Sequence, residues 1–407
     1  MNEASNTVVS KKEKWTATSW LLAIGIIFIA LTLRSPLTAV GPVIQEIKES
    51  LHISNVLAGF ITTIPLLAFA VVSPIVPKIS RKYTVEKALM MATIILTVGI
   101  LIRSTGSVSM LFLGTTLIGV GIAFGNVLLP SLIKLKFPLQ VGLITACYTV
   151  AMNASASIAA GISYPVSTFA GWQGSLGLWM ILAFIAVLIW IPQTKQPAPE
   201  KIKTSVNIPK KKPMWKYPLA WAVMLAMGLQ SMLFYTTAAW VPEMFKAQGM
   251  SASVAGLMFS TMQLAQLPAT FITPIVAGKL KDQRPIVLIF SVFYLLGFTG
   301  LIMGWTDLSI LWMVLLGIAG GSSFSMCMMF FSLRSRDAFE AADLSGFAQS
   351  LGYLIAAIGP VLYGYIYDKY NSFDVANIMY LFVTVICIAA SLIAAQNKFV
   401  TGNDPKL

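Results

Sequence analysis

Twelve apolar runs, each near or above 20 residues, follow one another along the 407-residue sequence, and their spacing constrains the fold more than any single motif. A run of about 20 apolar residues is long enough to cross the hydrocarbon core of a bilayer as a helix. Inside lipid a helix satisfies its own backbone polar groups, which an open strand or loop cannot do. The runs lie at roughly 16–48, 54–78, 84–104, 108–136, 139–168, 173–192, 215–246, 252–279, 284–304, 308–335, 341–369 and 373–397. The chain is 57% apolar and only 11% charged, too few charges to coat soluble domains of this total size. An all-α membrane protein with twelve transmembrane helices is expected.

The net charge of +13 would point to nucleic acid in a soluble protein, but its distribution gives another account. The basic segments 11–14, 78–87, 134–136, 195–216, 279–284, 334–336 and 398–406 fall on alternate connections and hold 23 of the 28 Lys and Arg residues. The opposite connections hold Lys48, Arg103, Lys246 and Lys369, and Arg34 remains alone inside a run. Basic residues mark the cytoplasmic side. Both termini and the central linker are therefore expected in the cytoplasm of a cell-membrane protein, with an even number of crossings. The basic amino terminus precedes a run too long for a cleaved signal, so that run reads as the first permanent helix. Cys147, Cys327 and Cys387 sit inside runs and read as packing residues. No phosphate-binding loop is present to use ATP, and neither a cofactor nor a metal is expected.

Residues 194–213, TKQPAPEKIKTSVNIPKKKP, are rich in Pro and Lys and divide the chain near its midpoint. The expected organisation is an amino-terminal six-helix bundle at 1–193, a cytoplasmic linker at 194–213 and a second bundle at 214–407. Sliding one half over the other by about 200 residues aligns Ser73-Pro-Ile-Val76 with Thr273-Pro-Ile-Val276, Gly121 with Gly321 and Phe124 with Phe324. A slightly smaller offset aligns Leu33-Arg-Ser35 with Leu229-Gln-Ser231 and Ala58-Gly59 with Ala255-Gly256. Because each half has six crossings, the second re-enters with the same orientation. A parallel repeat about the membrane normal is the arrangement of the major facilitator architecture, with its solute site near the midplane.

Leu33-Arg-Ser-Pro-Leu-Thr-Ala-Val-Gly-Pro42 in the first run and Gly121-Ile-Ala-Phe-Gly-Asn-Val-Leu-Leu-Pro130 in the fourth are more distinctive than hydropathy. With Gly171-Trp172, Gly346-Phe-Ala-Gln-Ser-Leu-Gly-Tyr353 and Gly359-Pro360, they resemble the cyanate and 2-nitroimidazole transporter branch (CynX/NimT type) of the major facilitator superfamily. The resemblance implies a secondary transporter of small polar or anionic compounds. It departs from the superfamily's loop pattern after helix 2, where Pro77 stands in place of the usual acid and puts the associated latch in doubt. A Gly-Pro signature of drug/proton antiporters is not evident either, since Gly161 is separated from Pro165.

Arg34 lies 14 residues from both Trp20 and Lys48, about 21 Å of helix each way. A charge at that depth costs at least a few kcal/mol and normally faces a protein-lined path. Its planar fork of donors suits a carboxylate, nitro group or linear anion; the alternative is a structural arginine bonded to carbonyls around Pro36. Gln230 occupies the matching place in the seventh run. Asn126, the i, i+4 pair Gln349 and Tyr353, the i, i+3 pair Gln263 and Gln266, Tyr148, Asn153, Tyr235 and Met326 are further cavity candidates, with core packing as the alternative for each. Gly114, Gly121 and Gly125 read as close helix contacts. No Asp or Glu lies near the middle of a run and the one histidine, His52, lies in a connection, so titratable proton-coupling groups are not visible at the centre. If a proton is cotransported, it would travel with the solute or use a peripheral group such as Glu243.

The sequence thus points to a monomeric permease that moves a small anionic or polar, cyanate-like or nitro-aromatic solute by alternating access. The alternative is an exporter of neutral aromatic drugs with a structural Arg34. A signalling protein would need a cytoplasmic domain for which the connections are too short, and no catalytic constellation indicates an enzyme.

Overall fold

The computed structural model describes residues 16–195, 213–370 and 372–402, and every regular element among them is helical. Most of the linker expected at 194–213, and both extreme termini, lie outside the described residues. The first crossing is a chain of short pieces: α1 (Ala17–Thr32), α2 (Ser35–Thr38), a 3-10 turn (Gly41–Val43) and α3 (Ile44–Leu51). Pro36 and Pro42 remove backbone donors and break it. The second crossing bends by 60° between α4 (Asn55–Val72) and α5 (Val76–Tyr83), where Pro74 and Pro77 have the same effect. Then come α6 (Val85–Arg103) and α7 (Val108–Lys136).

A continuous helical stretch, Val141–Thr194, covers 54 residues, about 80 Å at helical rise and far too long for one crossing. Its two parts, α8 (Val141–Gly177) and α9 (Trp179–Thr194), hide the true reversal inside α8. Gly171, at φ +66°, turns the chain back there, a conformation glycine adopts without steric penalty. The second half contains α10 (Pro218–Ala247), α11 (Ala252–Lys279), α12 (Arg284–Ile302), α13 (Ser309–Leu333), α14 (Ala338–Tyr370) and α15 (Phe373–Ala394). Among the described residues nine segments are long and apolar enough to cross a membrane, ten with the bent pair. Division at Gly171 adds one. The last is α11, whose apolar character is diluted by Gln263, Gln266 and several Ser and Thr but which packs between α8 and α13.

The neighbours of each helix reveal two six-helix bundles of the same design. In the first, α1 packs on α8 and α9, α4 on α7, and α6 on α7 and α9; in the second, α10 packs on α14 and α15, α11 on α13, and α12 on α13 and α15. These are the same pairings repeated. The bundles meet where α4 touches α14 and α8 touches α11, contacts that exchange under the repeat. Lipid gives helices no hydrophobic reason to associate, so small residues that permit close approach matter. A β-carbon on Gly99 would lie 2.9 Å from the Gly114 carbonyl, and one on Gly228 would lie 2.9 Å from the Gly352 Cα. Gly121 and Gly125 are close contacts too, on Leu96 and Leu33. The alignment of Gly121 with Gly321 is corrected here. Gly121 faces α6, whereas Gly321 faces α11; the counterpart of Gly119, which packs on Pro65 and Ala68 of α4, is Gly317 on Met262 and Ala265. A shift of two residues turns a helix by more than half a revolution, so the similar letters pointed to opposite faces.

The bundles are sealed at the basic ends of their helices. Ser131 Oγ donates to the Ala338 carbonyl at 2.6 Å, Ser332 Oγ to that of Pro130 at 3.1 Å, and Lys134 Nζ to the carbonyls of Ser332 (2.6 Å) and Ser335. Arg81 pairs with Asp343 across the same seam. Gly142 meets the backbone of Pro274 and Gly278. Among the described residues the hydrogen bonds between bundles run from mid-helix to this end, at Asn126–Tyr353, Asn153–Thr270 and Ser350–Ala70, and none joins the opposite ends.

Candidate functional site

Arg34 stands at the break in the first crossing, with φ −122° and ψ −34°, immediately before α2. Because the helix is interrupted there, its side chain leaves the amino-terminal bundle and reaches the other. The guanidinium carbon lies 4.7 Å from the Phe324 ring centroid and 5.6 Å from that of Phe234. Among the described residues its guanidinium has neither a hydrogen bond nor an ion pair. Each aromatic contact is worth about 0.5–2 kcal/mol, and none uses the in-plane N–H donors.

The structural role considered for Arg34 belongs to Arg103. Its Nη1 donates to the Pro36 carbonyl at 2.6 Å, an oxygen freed because the Val40 N–H turns to Leu37 instead. The assignment of Arg103 to an outer connection is corrected: it forms the last residue of α6 and is fully buried. The first crossing is thus broken by proline, braced by one arginine and lined by another.

Arg34, Gln230, Ser231, Phe234, Tyr235, Gln266, Gly320, Phe324 and Tyr353 line one partly open cavity between the bundles. Arg34 is the sole contribution from the amino-terminal bundle; α10, α11, α13 and α14 supply the others. The cavity therefore has one cationic wall and one aromatic, amide and hydroxyl wall. Of the residues singled out from sequence, Arg34, Gln230, Tyr235, Gln266 and Tyr353 converge here. Gln230 Nε2 donates to Ser231 Oγ at 2.9 Å, and Tyr353 packs its ring 4.9 Å from that of Phe69 across the bundle interface.

The other candidates stand outside this wall. Asn126 Nδ2 reaches the Tyr353 hydroxyl at 3.5 Å, while Gln349 Nε2 donates to the Asn126 carbonyl at 3.0 Å and to Ser345 Oγ at 2.7 Å. They tie α7 to α14 behind Tyr353. Asn153 Nδ2 donates to Thr270 Oγ1 at 3.3 Å, tying α8 to α11. Tyr148 and Met326 are buried, the tyrosine hydroxyl without a hydrogen-bond partner among the described residues. Gln263 is half-buried and lies outside the cavity wall, which α11 lines with Gln266. Glu243 forms an exposed ion pair with Lys246 at 2.8 Å. Phe324 and Ser231 stood out in the sequence only as repeat matches, and Phe234 and Gly320 not at all, because phenylalanine, serine and glycine are ordinary inside an apolar run.

A multi-pass helical protein with two repeated bundles and a polar cavity between them is a membrane transporter in design. Residues 20–360 match the model of the Major Facilitator Superfamily, and the chain belongs to that family. It is 44% identical over 386 residues to the uncharacterized transporter YycB of Bacillus subtilis (strain 168), with 94% of each chain covered. It is 35% identical to the 2-nitroimidazole transporter of Escherichia coli (strain K12), over 93% of this chain and 96% of that one. The cyanate transport protein CynX of the same organism is 25% identical over 82% of this chain and 87% of its own. The proton:xylose symporter XylE shares the fold with a TM-score of 0.73 at 14% identity, over 94% and 98% of the two chains. The protein is therefore a secondary transporter of the major facilitator type.

Proposed function

We propose that this transporter carries a small planar anion or nitro-bearing solute across the cytoplasmic membrane by alternating access, with Arg34 as its principal anchor. The observation that carries the reading is the free fork of Arg34 donors between two phenylalanine rings. A carboxylate or nitro group can take two parallel N–H bonds from such a fork, while a flat ring lies against the aromatic wall. The names of the 2-nitroimidazole and cyanate transporters support the same solute class. Cations are disfavoured by a central positive charge with no acid beside it.

Placing the basic ends in the cytoplasm makes the sealed seam cytoplasmic and the structure outward-facing. Transport then requires the Arg81–Asp343 and Lys134 contacts to open while the opposite ends close. Glu243 is engaged with Lys246 at the surface, so a coupled proton would more simply enter with the solute.

Uptake of labelled 2-nitroimidazole and cyanate into proteoliposomes tests the reading. Arg34→Gln should abolish uptake, and Arg34→Lys, which keeps the charge but loses the fork, should lower it about tenfold or more. Full uptake by Arg34→Gln would remove the anchor from this role. Efflux of neutral aromatic drugs that survives the same substitution would favour an exporter instead.

A further inference from the structure

Gln266 is the unexplained group of the cavity. It is only 4% exposed, it lines the space that Arg34 faces, and among the described residues its buried Oε1 has no hydrogen-bond partner. Gln230 and Gln349 both donate from Nε2 within the protein; Gln349 Oε1 also lacks a partner among the described residues, but it lies behind the cavity wall. The nearby Tyr294 hydroxyl is already engaged with Ser323 Oγ at 2.8 Å. A buried amide left unbonded costs roughly 1–3 kcal/mol on protein scales, and nearly all buried polar groups avoid that cost.

Two glycines hold this amide in place. A β-carbon on Gly321 would lie 2.5 Å from the Gln266 carbonyl and 2.8 Å from its Cγ, so the bare backbone lets α13 press against α11 there. A β-carbon on Gly320 would lie 3.6 Å from Gln266 Oε1, occupying cavity space beside it. The side chain is thereby placed opposite Arg34, from the other bundle.

Arg34 offers donors and no acceptor, whereas an amide also offers a carbonyl oxygen. Resting on the solute reading above, we infer that Gln266 is a specificity-determining residue that accepts an N–H from the solute, while Arg34 holds the nitro or anionic end. The preferred solute class is a planar heteroaromatic with an acceptor group and a ring N–H, which bridges the bundles. Cyanate, nitrate and N-alkylated nitroazoles satisfy only the Arg34 end.

The test compares binding of 2-nitroimidazole and its N-methyl derivative to the purified full-length transporter by isothermal titration. The wild type should favour the N–H compound by about five- to tenfold, the value of one neutral hydrogen bond. Gln266→Met, of similar length and without the amide, should bring the ratio near one with under a twofold change for the methylated compound. Gln266→Asn, a shorter amide, is the second variant should the first fail to fold; it should also shrink the preference. A wild-type ratio near one, or a preference that persists in either folded variant, overturns the role of Gln266. If the preference persists while Arg34→Gln loses both compounds, the Arg34 site stands without it. If neither compound binds the wild type, both readings fall.

Discussion

At the scale of single residues the chain separates two arginines that hydropathy alone cannot tell apart, Arg34 half-buried and Arg103 fully buried. Arg34 was legible because a lone charge in the middle of an apolar run has no routine explanation. Arg103 was not, since a basic residue near the end of a run reads as a loop residue; only the fold shows that it satisfies the carbonyl orphaned near Pro36. Arg103→Met should therefore lower the stability of the purified protein, by about 1–3 kcal/mol for the stranded carbonyl, seen as a lower unfolding temperature in detergent. Retention of the wild-type temperature would mean that the break needs no brace. The place of two rings over Arg34 was not readable for the opposite reason: Phe234 and Phe324 stand among 23 phenylalanines in the sequence, and even the repeat match of Phe324 with Phe124 says nothing of a cation beside it.

At the scale of helices, the prolines and glycines decide where the regular pattern gives way. Pro36 and Pro74 mark breaks within two crossings and Gly171 the reversal between two others, and their letters are readable in advance. Which face a residue presents is harder to read, as the Gly121 and Gly321 alignment shows, because rotation about a buried helix leaves no polar stripe to follow. The adjacent pair in α13 makes a sharp test. Gly321→Ala must push against backbone at 2.5 Å and should destabilise the α11–α13 pairing by about 1–3 kcal/mol, measured as reduced thermal stability. Gly320→Ala meets ordinary contacts, the nearest at 3.6 Å. It should fold as the wild type yet weaken solute binding, a difference that titration of the purified variants would register.

At the scale of the whole molecule, the doubled architecture was legible from run spacing and alternating charge, whereas the seam between bundles was not. The sequence lacks the usual acid at position 77, and the structure forms its cross-bundle ion pair elsewhere, between Arg81 and Asp343. Such partly exposed pairs contribute about 1 kcal/mol or less. Arg81→Asp should shift the balance toward the state open at the basic ends by up to about fivefold, and joining it with Asp343→Arg should restore the balance. Cysteine labelling along the seam would report both; an unchanged labelling rate in Arg81→Asp would deny the pair any part in closure. The unbalanced guanidinium in the cavity has an electrical consequence as well. In the proposed cycle an empty site carries one positive charge, and a site holding a monoanion carries none. Transferring a full charge across the membrane is worth about 2.3 kcal/mol per 100 mV, so an inside-negative voltage would draw the vacant carrier to face inward and leave the occupied one indifferent.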